Sequence, residues 1–261
     1  MRANRIITII GLCALVLGLV AGAATLGAVA GVWLGAWDFG RGFQLLFADG
    51  TGTTQWTQYV ALACVLDGIA IVIVGRAIGA DNSARMAVVA LAGALVAYVA
   101  WYVPSSHRPG PDANIPPIHD ISTDTNDPPQ FVAVLPLRAN AANTAEYGRA
   151  EGMTPDQLRR YTAEAYGDLK PVMLMVPPAE AFDRALAAAR SLGWEIVAEV
   201  PAEGRIEATD TTFWFRFKDD IVIRIRAVPG GSIVDARSVS RVGRSDVGTN
   251  ARRLRAFFER L

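Results

Sequence analysis

The sequence predicts an α+β fold, with helices packed on one face of an antiparallel sheet, preceded by three transmembrane helices. Two observations support this prediction. The first hundred residues are strongly apolar with few charges, whereas the residues after Pro104 have the composition of a soluble domain. In that second part, two helical patterns come first and alternating strand patterns follow. We therefore predict a membrane module over 1–103, a Pro/Asp-rich connector over 104–130 and an α+β domain over 131–261.

The three predicted membrane spans cover about residues 6–34, 59–78 and 84–103. The first has no charged side chain in its apolar run, and the apolar part of the second, Tyr59–Val74, has only Asp67. About 20 apolar residues suffice to span a bilayer. The first run is too long for the apolar part of a typical signal peptide, so we expect a helix that is retained in the mature protein.

Arginine placement predicts the orientation of the spans. Arg2 and Arg5 precede the first helix, and Arg76 and Arg85 flank the short turn between the second and third. The positive-inside rule then places the N-terminus in the cytoplasm and the domain on the other side of a bacterial inner membrane, in the periplasm. An aromatic belt at the outer boundary agrees with this orientation: Trp33, Trp37, Trp56, Tyr59, Trp101 and Tyr102.

Two features of the spans suggest interactions within the membrane. Gly27, Gly31 and Gly35 line one helix face, which indicates either a homo-oligomer contact or, the favoured alternative, packing within the three-helix bundle. Asp67 is an ionisable residue deep in a span, and such residues mark transport pathways. A protonated Asp67 bonded to Thr25 or Tyr98 would explain it equally well.

Local signals predict the helices of the α+β domain. The order Thr154-Pro155-Asp156-Gln157 forms a capping box that begins a helix reaching about Tyr166. An apolar strand over Pro171–Val176 follows, and Pro177-Pro178 begins a second helix that Gly193 ends. A final helix buries Leu254, Phe257, Phe258 and Leu261.

The strand patterns lie between the second and the last of these helices. We predict strands over Trp194–Val200 and Arg205–Phe217, a turn at Asp219-Asp220, a strand from Ile221, a hairpin turn at 229–232 and a strand over Ile233–Arg241.

The stretch 235–253, DARSVSRVGRSDVGTNARR, carries five arginines where the last strand meets the last helix. Backbone N–H groups at a helix start favour an anion, so Arg237, Arg241 and Arg244 are candidate anion-binding residues. The alternative is that internal carboxylates neutralise them. Residues 235–261 carry a net charge of +4 and residues 104–234 a net charge of −5, which favours internal pairing and argues against nucleic acid. Arg244 lies beyond the strand and is the best candidate for a ligand contact.

A second cluster of side chains that could bind a metal or act as a general base lies on the connector. His119, Asp120 and Asp124 place an imidazole and two carboxylates within one short loop. These groups bind divalent metals, and a His–Asp pair is a general-base arrangement, so the cluster is a candidate metal site for a hydrolase. Aspartates at turns more often bond to their own backbone, which is the alternative.

Two separated motifs resemble the bacterial domain-of-unknown-function family numbered 1499. They are PIHDISTD at Pro117–Asp124 and RSVSRVGRSDVGTNARR at Arg237–Arg253, with a strand–turn–strand run before the second. The resemblance covers roughly residues 115–261, and the three-helix module looks like a common companion of that domain. The family has no established activity, so it implies the architecture but no mechanism, and it supplies no site residues.

These observations favour a membrane-anchored cell-envelope protein whose outer domain is a binding or interaction module. The expected partners are the lipid bilayer and an envelope protein or lipid head group. We expect that the protein has no cofactor. The sequence identifies no catalytic residue, and it favours a protein that is not an enzyme. The alternatives are a metal-assisted hydrolase using His119, Asp120 and Asp124, and a small transporter or channel subunit with Asp67 in its pathway.

Overall fold

The computed structural model describes residues 1–47, 55–106, 115–149 and 152–261. The chain forms two compact units. The first comprises Met1–Arg108 together with Trp214–Arg216, and the second comprises Pro109–Phe213 and Phe217–Leu261.

The described residues of the first unit form four helices: α1 (Arg2–Trp33), α2 (Phe39–Leu46), α3 (Thr57–Ala77) and α4 (Ser83–Ser105). Helices α1, α3 and α4 are long and apolar enough to cross a membrane, as the sequence predicts. Most of their large side chains point outward, which suits a surface facing lipid rather than water. Helix α2 was not predicted; the Asp38 carboxylate caps it by accepting a hydrogen bond from the Arg41 N–H at 2.8 Å.

Close helix packing in this unit depends on small residues. A Cβ atom on Gly18 would clash with the backbone of Gly93, so glycines at both positions let α1 and α4 approach closely. The Gly27/Gly31/Gly35 face is different. Gly27 borders open space, whereas the Trp37 ring covers Gly31. Association of two copies through this face stays a prediction.

In the part of the second unit that the structure describes, the sheet has six strands: β1 (Asp120–Ser122), β2 (Val172–Leu174), β3 (Glu195–Val200), β4 (Arg205–Thr211), β5 (Lys218–Val228) and β6 (Gly231–Ser240). All neighbours are antiparallel, in the order β1-β6-β5-β4-β3, and β2 also pairs with β6. The predicted α+β class is confirmed. Strand β1 was missed, because three residues are too few to show an alternating pattern.

Three helices pack on one face of this sheet: α5 (Pro155–Tyr166), α6 (Pro178–Ser191) and α7 (Thr249–Phe258). The capping box of α5 is present, with Thr154 and Gln157 bonded to each other's backbone. The small side chains on β6 allow the close approach of α7 that their pattern predicts. The core of this face contains Ile206, Ile221, Ile223, Ile225, Val234, Leu254 and Phe257.

The hairpin between β4 and β5 corrects two predictions. Strand β4 ends at Thr211 instead of reaching Phe217, because Thr212 closes a loop by bonding twice with Phe217. Asp219 and Asp220 lie within β5 instead of forming a turn. Both are buried and paired with arginines, which sequence alternation cannot reveal. The predicted hairpin turn between β5 and β6 is confirmed, with Gly230 at φ +84°.

The opposite face of the sheet is covered by an irregular segment over 123–147, which we name the strap. A 3-10 helix over Leu135–Arg138 is its regular part. Phe131 and Val134 of the strap pack against Val222 and Val239 of the sheet. The rest of this face is polar and arginine-rich, and it includes Arg237 and Arg241.

Candidate functional site

Arg237 is a buried structural residue. Its guanidinium donates two hydrogen bonds to the Asp120 carboxylate, at 2.9 and 2.8 Å, and two more to the carbonyls of Pro129 and Ala145. Its side chain is 0% exposed. These contacts connect β6 to β1 and to the strap, and they leave Arg237 no access to a ligand.

Arg241 is likewise paired internally. Its guanidinium donates to both oxygens of Asp220, at 2.9 and 2.7 Å, and Arg138 donates to the same carboxylate at 2.6 Å. Burial opposes the ionisation of Asp220, but hydrogen bonds from Arg241, Thr209 and Arg138 outweigh it. The pKa of Asp220 therefore lies below its ordinary value of 3.8.

Asn250 joins the last strand to the last helix, a role that its sequence position does not reveal. Its side chain accepts a hydrogen bond from Ser238 at 2.6 Å and donates to Ser240 and to the His119 carbonyl. Arg253, on the same helix, pairs with Asp219 at 2.6 Å. The small side chains of β6 thus serve a buried polar network as well as close helix packing.

Arg244 differs from the other arginines of this motif. Its side chain is exposed, and in the described part of the chain its guanidinium makes no hydrogen bond or ion pair. The turn that carries it is nevertheless fixed. Asn143 donates to the Gly243 carbonyl at 2.9 Å, and the Asp246 N–H donates to the Ile118 carbonyl at 3.1 Å. The His119 ring Nδ1 lies 3.5 Å from the Arg244 carbonyl oxygen.

Arg244 and His119 both line a cleft of about 540 Å³ in the second unit. This size falls within the range of about 300–1,000 Å³ that is usual for ligand sites. One wall carries Asn143, Glu146 and Arg149, and Arg149 donates to Glu146 at 3.2 Å in an exposed pair.

Apolar side chains also line the cleft, and we name them the apolar wall. Helix α5 contributes Leu158 and Tyr161, Met153 lies just before this helix, and Ile118 precedes β1. The cleft thus combines apolar surface with a few polar groups that converge on it, an arrangement typical of small-molecule and peptide sites.

The candidate metal ligands do not converge in this structure. Asp120 is held by Arg237, while Asp124 lies near Arg224 and Arg226 and accepts the N–H groups of Asn126 and Asp127. Only His119 and Asp120 line the cleft. Within the described residues, no three His, Cys, Asp or Glu side chains are grouped as metal ligands are. A role for this set in metal binding or hydrolysis remains a prediction.

Asp67, the candidate for a transport pathway, lies on α3 one turn from the buried Cys64. Its side chain is half-buried, and it forms no hydrogen bond or ion pair with residues the structure describes. Neither Thr25 nor Tyr98, the partners considered from sequence, bonds to it. Its role as an intramembrane polar site stays a prediction.

One family model matches the chain. It is described as "Protein of unknown function (DUF1499)", and it covers residues 120–261, which is more than half of the sequence. The match includes β1, the strap, the sheet, the three packed helices and the Arg244 turn. Neither a curated protein nor a solved structure matches the chain.

Proposed function

The chain belongs to the DUF1499 family of proteins of unknown function, and from this premise we propose that it is a membrane-anchored binding protein. Helices α1, α3 and α4 hold it in the bilayer, and the cleft beside Arg244 is its binding site. The location that we propose is a bacterial inner membrane, with the second unit in the periplasm as part of the cell envelope.

One observation supports the binding role above others. The motif arginines Arg237, Arg241 and Arg253 are each paired with a carboxylate, whereas the Arg244 guanidinium has no partner among the described residues and lines the cleft from a fixed turn. Keeping an exposed guanidinium at the mouth of a cleft gains nothing for folding. It does provide a strong, directional contact for a bound molecule.

Filling the cleft tests this role. Ala142 is exposed and lines the cleft, so Ala142→Trp should obstruct it without disturbing the core. Ala187 is exposed on α6, outside the cleft, and Ala187→Trp is the matched control. We expect native mass spectrometry of the full chain, extracted from its own membrane, to find a bound non-protein mass in the wild type and in A187W. In A142W that mass should fall at least severalfold.

Equal occupancy in A142W and A187W, or no bound mass in the wild type, would contradict a binding role for the cleft. Thermal unfolding of the three proteins in the same detergent separates occlusion from misfolding. A142W must melt within a few degrees of A187W for a loss of ligand to count as support.

A further inference from the structure

We infer that the cleft binds an amphiphilic anion, that is, a molecule with one phosphate or carboxylate group on an apolar body. This inference rests on the proposed binding role of the cleft and adds the chemical class of its ligand.

Charge accounting among the described residues selects an anion. Six ionisable side chains of the described residues line the cleft; besides Tyr161 they are His119, Asp120, Glu146, Arg149 and Arg244. Asp120 is neutralised by Arg237, and Glu146 is neutralised by Arg149. The positive charge of Arg244 is left over. A guanidinium presents parallel N–H groups that match the two oxygens of a carboxylate or phosphate.

The Arg244 turn is built before any ligand arrives. It is held on one side by Asn143, which donates to the carbonyls of Ser240 and Gly243, and on the other by the bond from Asp246 to Ile118. A fixed backbone lowers the conformational entropy that is lost on binding, because only the Arg244 side chain must become ordered against the ligand. Arg149 is a second guanidinium on the cleft wall. Arg149 stays paired with Glu146 in a pair that is more than 60% exposed on both sides, so it adds no net charge to the cleft.

The apolar wall determines the rest of the ligand. Met153 and Tyr161 are half-buried and lie in front of the buried Ile118 and Leu158, so they provide an apolar surface that inorganic phosphate leaves uncovered. The cleft of about 540 Å³ also accommodates far more than an ion. An apolar body lying against this wall gains affinity from buried area, while the anionic group at Arg244 fixes its orientation.

The test uses the full chain in nanodiscs of zwitterionic phosphatidylcholine. Three probes are titrated by calorimetry, with empty nanodiscs subtracted: hexyl phosphate, hexyl glucoside and inorganic phosphate. We expect hexyl phosphate to bind most tightly. Arg244→Gln should weaken it about tenfold or more, since a charge-assisted contact is lost. Hexyl glucoside should bind R244Q and wild type equally.

Arg160→Gln is the matched control. Arg160 is an exposed arginine on α5, it lies outside the cleft, and it also forms no hydrogen bond or ion pair with described residues. R160Q should bind hexyl phosphate as the wild type does. Equal affinity in wild type and R244Q would overturn the inference, as would equal weakening in R244Q and R160Q.

Failure of the inference is distinguishable from failure of the binding role. If hexyl phosphate does not bind while A142W still loses the native bound mass, the anionic class is wrong and the cleft remains the binding site. A second series in nanodiscs that contain phosphatidic acid separates the sources of the ligand. Competition by the lipid indicates a membrane headgroup, and unchanged affinity indicates a free anion.

Discussion

Arg237 and Arg244 belong to the same motif, yet the fold uses them in opposite ways. Arg237 lies on β6 facing the strap, where Asp120, two carbonyls and the rings of Phe131 and Tyr147 surround its guanidinium. A charge so enclosed must be paired, because removing one partner leaves the other buried without compensation. Arg244 stands past the end of the strand, where water solvates it at no such cost. Position relative to the sheet therefore separates the structural arginine from the candidate binding residue.

Asp220 provides a test of this pairing through pH. Its folded-state pKa is lowered, so the ionised carboxylate stabilises the fold above the unfolded pKa of about 3.8. That stabilisation is lost as pH falls through the lower folded-state pKa. Asp220→Asn should cost about 3–5 kcal/mol of unfolding free energy at pH 7, because Arg138 and Arg241 lose their shared carboxylate. The difference in unfolding free energy between D220N and the wild type should become smaller below about pH 4.

Urea unfolding of the full chain in detergent at pH 7 and pH 3 measures this difference. Asp156→Asn is the control, because that carboxylate is 85% exposed and its removal should change stability little at either pH. If D220N lowers the unfolding free energy by the same amount at both pH values, the Asp220 carboxylate stabilises the fold by its shape rather than by its charge.

At the scale of elements, one carboxylate of the sheet binds three consecutive backbone N–H groups of the strap. Glu207 of β4 is fully buried and accepts the backbone N–H groups of three consecutive strap residues: Val132, Ala133 and Val134. These N–H groups immediately precede the 3-10 helix Leu135–Arg138, and free backbone N–H groups at the start of a helix favour a carboxylate. Arg205 pairs with the same carboxylate and balances its charge.

Glu207→Gln should detach this end of the strap. An amide has one accepting oxygen, and its NH₂ group would face backbone donors, so at least one buried N–H loses its partner. We expect the amides of residues 132–134 to exchange hydrogen for deuterium at least about tenfold faster, with the amides of α5 unchanged. Glu199→Gln, at a partly exposed pair with Arg190, is the control. Equal protection of 132–134 in the two variants would show that the apolar contacts of Phe131 and Val134 hold the strap without the carboxylate.

The sequence predicts an element correctly when the residues that signal this element lie close together in the chain. The capping box at Thr154 and the turn at Gly230 require only residues within one turn of each other, and both were confirmed. The predicted turn at Asp219 was wrong, because arginines distant in sequence decide whether an aspartate can lie in a buried strand. The predicted extent of β4 was wrong because the alternating pattern does not show the loop that Thr212 closes with Phe217. The sequence does not predict the roles of Asn250 and Glu207 for the same reason: their partners are distant in sequence. The place of Arg244 beyond the last strand is a local property that the sequence does predict, and its role as a ligand contact stays a prediction.

At the scale of the whole molecule, the packing of the first unit bears on its orientation in the bilayer. Asn4 accepts hydrogen bonds from the Asp81 N–H and the Asn82 side chain, at 3.0 and 3.1 Å. The start of α1 and the α3–α4 turn therefore lie at the same end of the bundle. Arg2, Arg5, Arg76 and Arg85 belong to these segments. Trp33, Tyr59, Trp101 and Tyr102 lie at the opposite helix ends, where an aromatic belt belongs.

This separation of charge predicts the result of a topology experiment. Because short positively charged segments stay in the cytoplasm, alkaline phosphatase fused after Leu261 should be active and green fluorescent protein fused there should be dark. The same reporters inserted at Asp81, in the α3–α4 turn, should give the inverse pattern. Replacing Arg2, Arg5, Arg76 and Arg85 by glutamine should mix the two orientations, while R160Q should not. Fluorescence at Leu261 equal to that at Asp81 would place the cleft in the cytoplasm and remove the envelope role, while the chemistry proposed for Arg244 would still stand.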